Sequence, residues 1–254
     1  MKIYKYLPIS DGSKAILNQG TLKFSSSDDF NDPFDCITTY DIEASMKYFE
    51  SRKDIFLRAS SHLKLSPSQR IENKRKMYYG IKRSLASGEF HNDIIKRLGV
   101  CCFSKKSDNI LMWSHYAENH TGFVIEFDVN FDEPMTHYDD IESKLIGYDI
   151  IYQNDMPIIK AGKGDFESVK DVFLTKSLDW SYEDEYRVLT REKGPGIHSF
   201  DLNKVNRIIV GVKISAKHYE DLSQIVKNLS IKLNKTITIS RAEMLHGKYG
   251  LKTT

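Results

Sequence analysis

The chain has 254 residues, of which 40% are hydrophobic and 28% charged, and its formal net charge is only +2 at pH 7. This length and composition predict a globular protein with a sizeable core, and the near-neutral charge gives no electrostatic reason to expect a nucleic-acid or membrane partner. No apolar run approaches the roughly 20 residues that span a bilayer, which argues against a transmembrane protein.

The first half of the chain alternates short strands with helices. Strands are predicted where apolar and polar residues alternate, and helices where apolar residues recur every three or four positions. In chain order these segments are a strand at Lys2–Tyr6, a helix at Ser13–Asn18, a strand at Thr21–Ser25, a turn at Asn31–Pro33, a strand at Gly99–Phe103, a helix at Ile110–Glu118 and a strand at Gly122–Asp128. Asp11 or Ser13 is the expected N-cap of the first helix, and Gly20 is its stop.

Residues 41–98 differ in character, because Lys, Arg, Ser and Glu dominate them. Ser66-Pro67 is typical of a helix start, and the spacing of apolar residues predicts two or three amphipathic helices. We interpret the segment as a mainly helical insertion in a single α+β domain that spans residues 1–254. Its basic residues are typical of a solvated helix face, and a nucleic-acid patch is the alternative.

The second half completes the sheet. In chain order its predicted segments are a strand at Leu145–Tyr152, a helix at Phe166–Leu174, strands at Tyr186–Thr190 and Arg207–Val212, a helix at Ala216–Leu233 and a strand at Thr236–Ser240. The last helix should bury a face formed by Tyr219, Leu222, Ile225, Val226 and Leu229. The expected fold class is α+β, with a split mixed or antiparallel sheet, flanking helices and the helical insertion.

The segment Trp180–Arg187 concentrates acidic and aromatic residues where a loop enters a strand. In that strand Glu185 and Arg187 should share one face, and Tyr186 and Val188 the other. A structural Glu185–Arg187 ion pair is one interpretation, but the density of aromatic and acidic groups favours a functional site, since such sites usually lie on loops held by a rigid scaffold.

A second cluster covers Trp113–Gly122. Trp113 and Tyr116 share a helix face, whereas His115 lies on another side. His115 and His120 are five residues apart, which is not the spacing of a helical metal pair, so no metal site is predicted. Each histidine is either a hydrogen-bonded structural residue or an acid–base group.

A third cluster, Phe30–Phe34, contains Asn31-Asp32-Pro33. These residue types form tight turns and bond their own backbone. The alternative is that Asn31 and Asp32 reach a ligand while Phe30 and Phe34 anchor the loop.

Three enzyme classes are excluded because their sequence motifs are missing: P-loop ATPases, Rossmann dehydrogenases and α/β-hydrolases. The sequence has no G-x-x-x-x-G-K-[ST], no G-x-G-x-x-G after a strand and no G-x-S-x-G. Its three cysteines include the adjacent pair Cys101-Cys102 and form no CxxC, which favours a reducing, cytoplasmic setting.

The three clusters together resemble the bacterial family called domain of unknown function 2971. The resemblance rests on an ordered series of motifs: Tyr4-Lys5-Tyr6, Leu22 to Ser26, Phe30 to Phe34, Cys102-Phe103-Ser104, Met112 to Ala117 with His120 and Gly122, and Lys176 with Trp180 to Arg187. The motifs run in this order from the first residues to about Gly211.

A second resemblance is to ADP-ribosyltransferases, which carry three strand motifs. Glu183-Asp184-Glu185 looks like the third motif, while Phe24-Ser25-Ser26 or Cys102-Phe103-Ser104 looks like the second. Tyr4-Lys5-Tyr6 takes the place of the first, with Lys5 where Arg or His is usual. This resemblance implies a small-molecule nucleotide, NAD, as substrate, an unknown macromolecular acceptor and no metal.

The resemblance also implies roles for individual residues. Glu185 would stabilise the positive charge that develops on the ribose, and Glu183 would orient or deprotonate the acceptor. Residues expected to contact the cofactor are Tyr4, Lys5, Tyr6, Ser25, Trp113, Tyr116 and Arg187, with His115 as a further catalytic candidate.

Three functions therefore stand as hypotheses. The first is an NAD-consuming ADP-ribosyltransferase or NAD glycohydrolase, acting as a toxin or phage-defence effector. The second is a metal-independent nucleic-acid-binding protein or nuclease that uses His115, His120 and Glu126 with the basic helices. The third is a non-catalytic recognition module built from the same clusters.

Overall fold

The computed structural model describes residues 1–132, 140–162 and 166–253. The chain divides into two compact units: unit 1 consists of Met1–Ser26, Leu98–Ile150 and Asp179–Thr254, and unit 2 of Ser27–Arg97 and Ile151–Leu178. The insertion expected at 41–98 falls in unit 2 except for Leu98. Unit 2 also contains a later segment that the sequence pattern did not connect with it.

Helices and strands are distributed over both units. The helices are α1 (Asp11–Gln19), α2 (Ile42–Ser51), α3 (Lys53–His62), α4 (Pro67–Ala86), α5 (Asn92–Arg97), α6 (Ile110–His115), α7 (Asp140–Ser143), α8 (Phe166–Leu174) and α9 (Ala216–Leu233). The strands are β1 (Lys2–Leu7), β2 (Thr21–Phe24), β3 (Thr39–Tyr40), β4 (Gly99–Ser104), β5 (Phe123–Asp128), β6 (Tyr148–Asp149), β7 (Ile151–Gln153), β8 (Ile158–Ile159), β9 (Thr175–Ser177), β10 (Glu185–Thr190), β11 (Gly196–Ser199), β12 (Val205–Val210), β13 (Thr238–Arg241), β14 (Glu243–Met244) and β15 (Leu251–Lys252). Short 3-10 turns cover Ser27–Asp29, Leu178–Glu183 and Leu202–Lys204.

Unit 1 is organised around a seven-stranded sheet with the order β13-β12-β5-β1-β4-β10-β6. Neighbouring strands run antiparallel, except that β12 and β13 are parallel. The sheet is therefore mixed, and the predicted α+β class is confirmed. The first strand of the chain lies at its centre, between β5 and β4.

One face of this sheet packs on the main core of unit 1. Alternate residues of four strands are at most 3% exposed on that face: Ile3, Phe103, Phe127 and Val188. Helix α9 contributes Leu222, Val226 and Leu229 to the same cluster, with Tyr219 and Ile225 packed partly buried beside them. The predicted inner face of this helix is confirmed.

The ends of two helices differ from the expected ones. Ser10, not Asp11 or Ser13, is the N-cap of α1, because its side chain accepts from the Ser13 backbone N–H. Gly20 ends that helix in a left-handed conformation, φ 70°, as predicted. Helix α6 stops at His115 instead of Glu118, since residues 118–120 all have positive φ.

The single strand predicted at Leu145–Tyr152 is wrong. Leu145 has φ 57°, which breaks strand geometry. The segment instead forms β6, which pairs with β10, and β7, which pairs with β9 in a separate two-stranded sheet.

Helices α2 to α5 form most of unit 2. Helix α4 begins as predicted at Pro67, after a capping box in which the Ser66 side chain accepts from the Gln69 N–H and the Gln69 side chain accepts from the Ser66 N–H. Helix α8 and two short parallel strand pairs, β3 with β8 and β7 with β9, also belong to the unit. Among the described residues of the whole chain, no helix is both long and apolar enough to cross a membrane.

Candidate functional site

A row of polar residues crosses the sheet of unit 1 at one register position. Arg207 of β12 pairs with Glu126 of β5, and Glu126 pairs with Tyr4 of β1. Tyr4 pairs in turn with Ser104 of β4, and Ser104 with Glu185 of β10. Directly paired residues project from the same face of a sheet, so the whole row lies on the face opposite the main core.

Glu185 and Arg187 form a two-point ion pair at one end of this row. Arg187 Nε donates to Glu185 Oε1 at 2.8 Å and Nη2 donates to Oε2 at 3.1 Å. The two residues are 3% and 0% exposed, and they share a strand face as the alternation predicted. Burial and then the Glu185 charge raise the pKa of the Cys102 thiol above its usual range, so this neighbour stays protonated near neutral pH.

A tight turn delivers the chain into β10. The 3-10 turn Leu178–Glu183 is followed by Asp184, whose φ of 43° is left-handed. Ser104 Oγ donates to the Glu183 carbonyl at 2.6 Å, and the Lys105 N–H donates to the Asp184 carbonyl at 2.8 Å. These bonds fasten the acidic turn to the end of β4.

Helix α6 is attached to the same turn at both of its ends. At its start, the Asn109 side chain caps the helix and also donates to the Tyr182 carbonyl at 2.8 Å. At its end, the Tyr116 hydroxyl donates to Glu183 Oε1 at 2.6 Å. Glu183 is 3% exposed, so this hydroxyl helps satisfy a buried carboxylate.

Two of the aromatic residues expected to stack on a cofactor are packed in the second hydrophobic cluster of unit 1. Trp113 is 0% exposed and donates from Nε1 to the Ser107 carbonyl at 2.8 Å. Tyr6 meets it edge-on with ring centroids 5.5 Å apart, and burial raises the pKa of Tyr6. Tyr4 and Tyr116 remain partly exposed beside them, so these two are the aromatic candidates for ligand contact.

The two histidines of the second cluster have different surroundings. His115 is exposed, and its Nδ1 lies 3.1 Å from the Tyr182 hydroxyl. His120 stacks on Trp113, its Nε2 lies 3.1 Å from Ser114 Oγ, and burial lowers its pKa. Among the described residues, His115 and His120 share no hydrogen-bond partner. This arrangement does not favour the hypothesis in which the two histidines act together as acid and base.

Lys5 and Ser25 are not brought to the polar row. Lys5 projects from the other face of β1, where Nζ donates to the Cys102 carbonyl at 2.9 Å. Ser25 pairs with Val100, four residues from Ser104 along β4, which is about 13 Å at strand spacing. Neither residue stands where the transferase resemblance requires it.

The Asn31–Phe34 segment, which belongs to unit 2, forms a turn that bonds its own backbone. Asp32 Oδ1 accepts from the Phe34 N–H at 2.9 Å, and the Asp32 carbonyl accepts from the Asp35 N–H at 3.2 Å. Phe34 is 66% exposed. This exposure does not support the alternative in which Phe34 anchors the loop, and the geometry fits the predicted turn.

Two basic residues of α4, Lys74 and Lys76, contact local partners within unit 2. Lys74 Nζ lies 6.0 Å from the Phe56 ring centroid and 5.6 Å from that of Tyr78. Lys76 forms an exposed i,i+4 pair with Glu72 at 2.7 Å. These contacts are those of a solvated helix face.

Sequence reasoning missed two residues that the structure places at this site. Ser104 fastens the acidic turn. The sequence pattern indicated it only as part of Cys102-Phe103-Ser104, the alternative to the motif that contains Ser25. Tyr182 joins His115 to the turn and stands between Trp180 and Glu183 in the sequence. Its position inside an aromatic and acidic run is the signal that would have found it.

No curated protein and no solved structure matches this chain. The model of one family does match, over residues 112–188, and that family is described as "Protein of unknown function (DUF2971)". The matched segment contains most of α6, Glu126 and the acidic turn with Glu185, while Tyr4–Tyr6, Asn31–Phe34 and Ser104 lie outside it. The resemblance to the DUF2971 family is thus confirmed over residues 112–188, where the chain is similar to that family of unknown function.

Proposed function

We propose that the chain is an ADP-ribosyltransferase or NAD glycohydrolase, which cleaves NAD and transfers ADP-ribose to a macromolecular acceptor or to water. The observation that carries the proposal is the register of Tyr4, Ser104 and Glu185 on three adjacent strands. One residue from each of the three proposed motifs thereby projects from the same face of the sheet, with Tyr4 and not Lys5 representing the first. Neighbouring strands are about 4.8 Å apart, so the three side chains span roughly 10 Å, a width suited to a nicotinamide riboside.

In this proposal Glu185 stabilises the positive charge that develops on the ribose. Its two bonds to Arg187 fix the direction of the carboxylate before substrate arrives. In the proposal, the ribose hydroxyls donate to this carboxylate. A preorganised charge in a buried site stabilises a transition state more than a charge in water does.

Glu183 is the base for the acceptor in this proposal. The Tyr116 hydroxyl, 2.6 Å from Oε1, holds its orientation. The bond between the ribose anomeric carbon and the nicotinamide nitrogen breaks, and nicotinamide leaves as a neutral molecule with the bonding electron pair. A bond forms from that carbon to the acceptor or to water, and the proton released goes to Glu183. Loss of cellular NAD by this reaction would suit a toxin or phage-defence effector.

The proposal is tested by nicotinamide release from NAD by the purified chain, alone and with protein and RNA extracts as acceptors. Wild type should release nicotinamide, and Glu185→Gln should lower the rate at least about 100-fold, the size of effect seen on removing one preorganised transition-state contact. Glu192→Gln is the matched control, because Glu192 is an exposed carboxylate of the same unit.

Two results would count against the proposal. Absence of nicotinamide release and of NAD binding under every acceptor condition would reject NAD as substrate. Full activity in a folded Glu185→Gln variant would remove the carboxylate from the mechanism. Thermal unfolding of each variant separates loss of activity from loss of fold.

A further inference from the structure

The hairpin formed by β14 and β15 in unit 1 presents an exposed aromatic and apolar surface. The two strands pair antiparallel, and the Leu245 N–H donates to the Gly250 carbonyl at 3.0 Å, which closes the loop between them. Among the large hydrophobic side chains that the structure describes, Tyr249 and Met244 have the two largest exposed fractions, 102% and 78%. Side chains so exposed add little to the core, so their concentration in one hairpin indicates contact with a partner.

The base of this hairpin is fixed beside Arg207, one end of the polar row. Where the hairpin begins, the Ala242 N–H donates to the Val210 carbonyl at 2.8 Å, and Ala242 is buried. Where it ends, the Thr253 carbonyl accepts from Arg207 Nη1 at 2.7 Å, and the Thr253 hydroxyl lies 2.7 Å from Ser107 Oγ. Because both ends are held, the loop is presented in a fixed position, which lowers the entropy cost of binding a partner.

The net positive charge of the chain is concentrated in the same hairpin. Residues 241–252 contain Arg241, Lys248 and Lys252 against one carboxylate, Glu243, which gives a formal charge of +2. The whole chain, with 37 lysines and arginines and 35 aspartates and glutamates, also has a charge of +2. Removing these three cations and one carboxylate from the totals leaves 34 charges of each sign. The near-neutral total therefore conceals a local basic surface, which attracts a polyanion.

The loop places a cation and an aromatic ring next to each other. Lys248 and Tyr249 are consecutive and both exposed. In the part of the chain that the structure describes, no carboxylate lies within ion-pair distance of Lys248, and no ring stacks on Tyr249. Proteins bind single-stranded nucleic acids with this combination, in which a base stacks on the aromatic ring and cations follow the phosphates. A duplex keeps the faces of its bases within the stack, so it offers this ring no base to stack on.

Other polyanions fit the loop less well. An interfacial membrane anchor buries an apolar surface, whereas the tip of this loop is His246-Gly247-Lys248. RNA exposes unpaired bases in its loops, bulges and ends, whereas cellular DNA is mostly paired. We infer that this hairpin binds single-stranded RNA, with a base stacked on Tyr249 and the adjoining phosphate at Lys248. This binding goes beyond the proposed NAD chemistry and does not depend on it.

Fluorescence anisotropy of a short labelled oligouridylate, titrated with the full chain in the absence of NAD, tests the inference. Tyr249→Ala should weaken binding roughly 5–150-fold, the contribution of one stacked base. The variant should fold, because a fully exposed side chain contributes no packing. Tyr79→Ala is the matched control and should bind like wild type, since Tyr79 is also 73% exposed and lies in α4 among basic residues.

The salt dependence of the same titration tests the phosphate contact. In Lys248→Gln, the slope of the logarithm of the binding constant against the logarithm of salt concentration should become less steep by about 0.7, the value for one phosphate of a single strand. Lys232→Gln removes an exposed lysine of α9 and should keep the wild-type slope. An unchanged slope in Lys248→Gln would remove the phosphate contact from the inference.

Three outcomes would overturn the inference as a whole. The first is no change in anisotropy with wild type. The second is equal weakening by Tyr249→Ala and Tyr79→Ala, which indicates diffuse attraction without stacking at the hairpin. The third is tighter binding of oligothymidylate of the same length, or of anionic phospholipid vesicles, which assigns the hairpin to DNA or to a membrane. The titration contains no NAD, so its failure and a failure to release nicotinamide are separate results.

Discussion

Arg187 holds both oxygens of the Glu185 carboxylate, although the two residues are only two positions apart on the same strand. Strand β10 is buried along its whole length, so water does not compete for either charge. A buried pair of this kind is costly to break, because the remaining charge lacks a solvent shell. The same geometry leaves the carboxylate fixed in direction.

Glu185→Ala is expected to lower the free energy of unfolding by about 3–5 kcal/mol, because Arg187 would remain buried without this partner. Guanidinium denaturation measures the change. Glu192→Ala, an exposed control, should stay within about 0.5 kcal/mol of wild type. The double variant Glu185→Ala/Arg187→Met should lose less free energy of unfolding than the sum of the losses in the two single variants. Additive losses would show that the two residues are not coupled.

Tyr116→Phe removes the hydroxyl that donates to Glu183. The free energy of unfolding should fall by about 1.5–3 kcal/mol, the contribution of a hydrogen bond to a charged group. Nicotinamide release should also fall, because Glu183 is less well oriented. Denaturation and turnover are measured on the same preparation. Tyr219→Phe, in α9 and remote from the turn, is the control and should change neither stability nor turnover. If Tyr116→Phe also leaves both unchanged, the Tyr116 hydroxyl does not position Glu183.

Glu126 makes stability depend on pH. Burial raises its pKa, but hydrogen bonds from Lys2, Asn206 and Arg207 lower it more, so the pKa lies below its ordinary 4.5. A carboxyl with a depressed folded-state pKa contributes stability above its unfolded pKa and loses that contribution as the pH falls through the folded value.

The free energy of unfolding should therefore fall more steeply below about pH 4.5 in wild type than in Glu126→Gln. Urea denaturation between pH 7 and pH 3 compares the two slopes. Glu220→Gln, an exposed carboxylate of α9, should keep the wild-type slope. Equal slopes in wild type and Glu126→Gln would contradict the assignment.

Elements with strong local signals were predictable from the sequence. Helix α9 and helix α8 have the predicted bounds, since apolar spacing indicates both, and Ser215 caps the start of α9. The sharing of one face by Glu185 and Arg187 also followed from strand alternation alone. These features depend on neighbours a few positions apart.

Features set by distant contacts were not predictable in the same way. Strand alternation predicts that Lys5 and Tyr4 lie on opposite faces of β1. The residues near them in the sequence do not indicate which of the two faces carries the polar row. Ser104 and Ser25 have similar neighbours in the sequence, and only the pairing of β4 with β1 and β10 selects Ser104. The inclusion of residues 151–178 in unit 2 depends on strand pairs between segments that lie over a hundred residues apart, such as β3 with β8.

Gly147 is expected to control the position of Arg187. A Cβ at this position would meet the Arg187 carbonyl oxygen, with the Arg187 carbonyl carbon 2.7 Å away, and backbone atoms cannot move aside as a flexible side chain can. Gly147→Ala should therefore lower the free energy of unfolding by about 2–3 kcal/mol or more and displace the Glu185–Arg187 pair, which reduces nicotinamide release. Gly80→Ala is the matched control: Gly80 lies in α4 with no atom within 4 Å of an added Cβ, so alanine should stabilise that helix by about 0.5–1 kcal/mol. If the two alanine variants denature at the same guanidinium concentration, the close approach of Gly147 to β10 does not hold the ion pair in place.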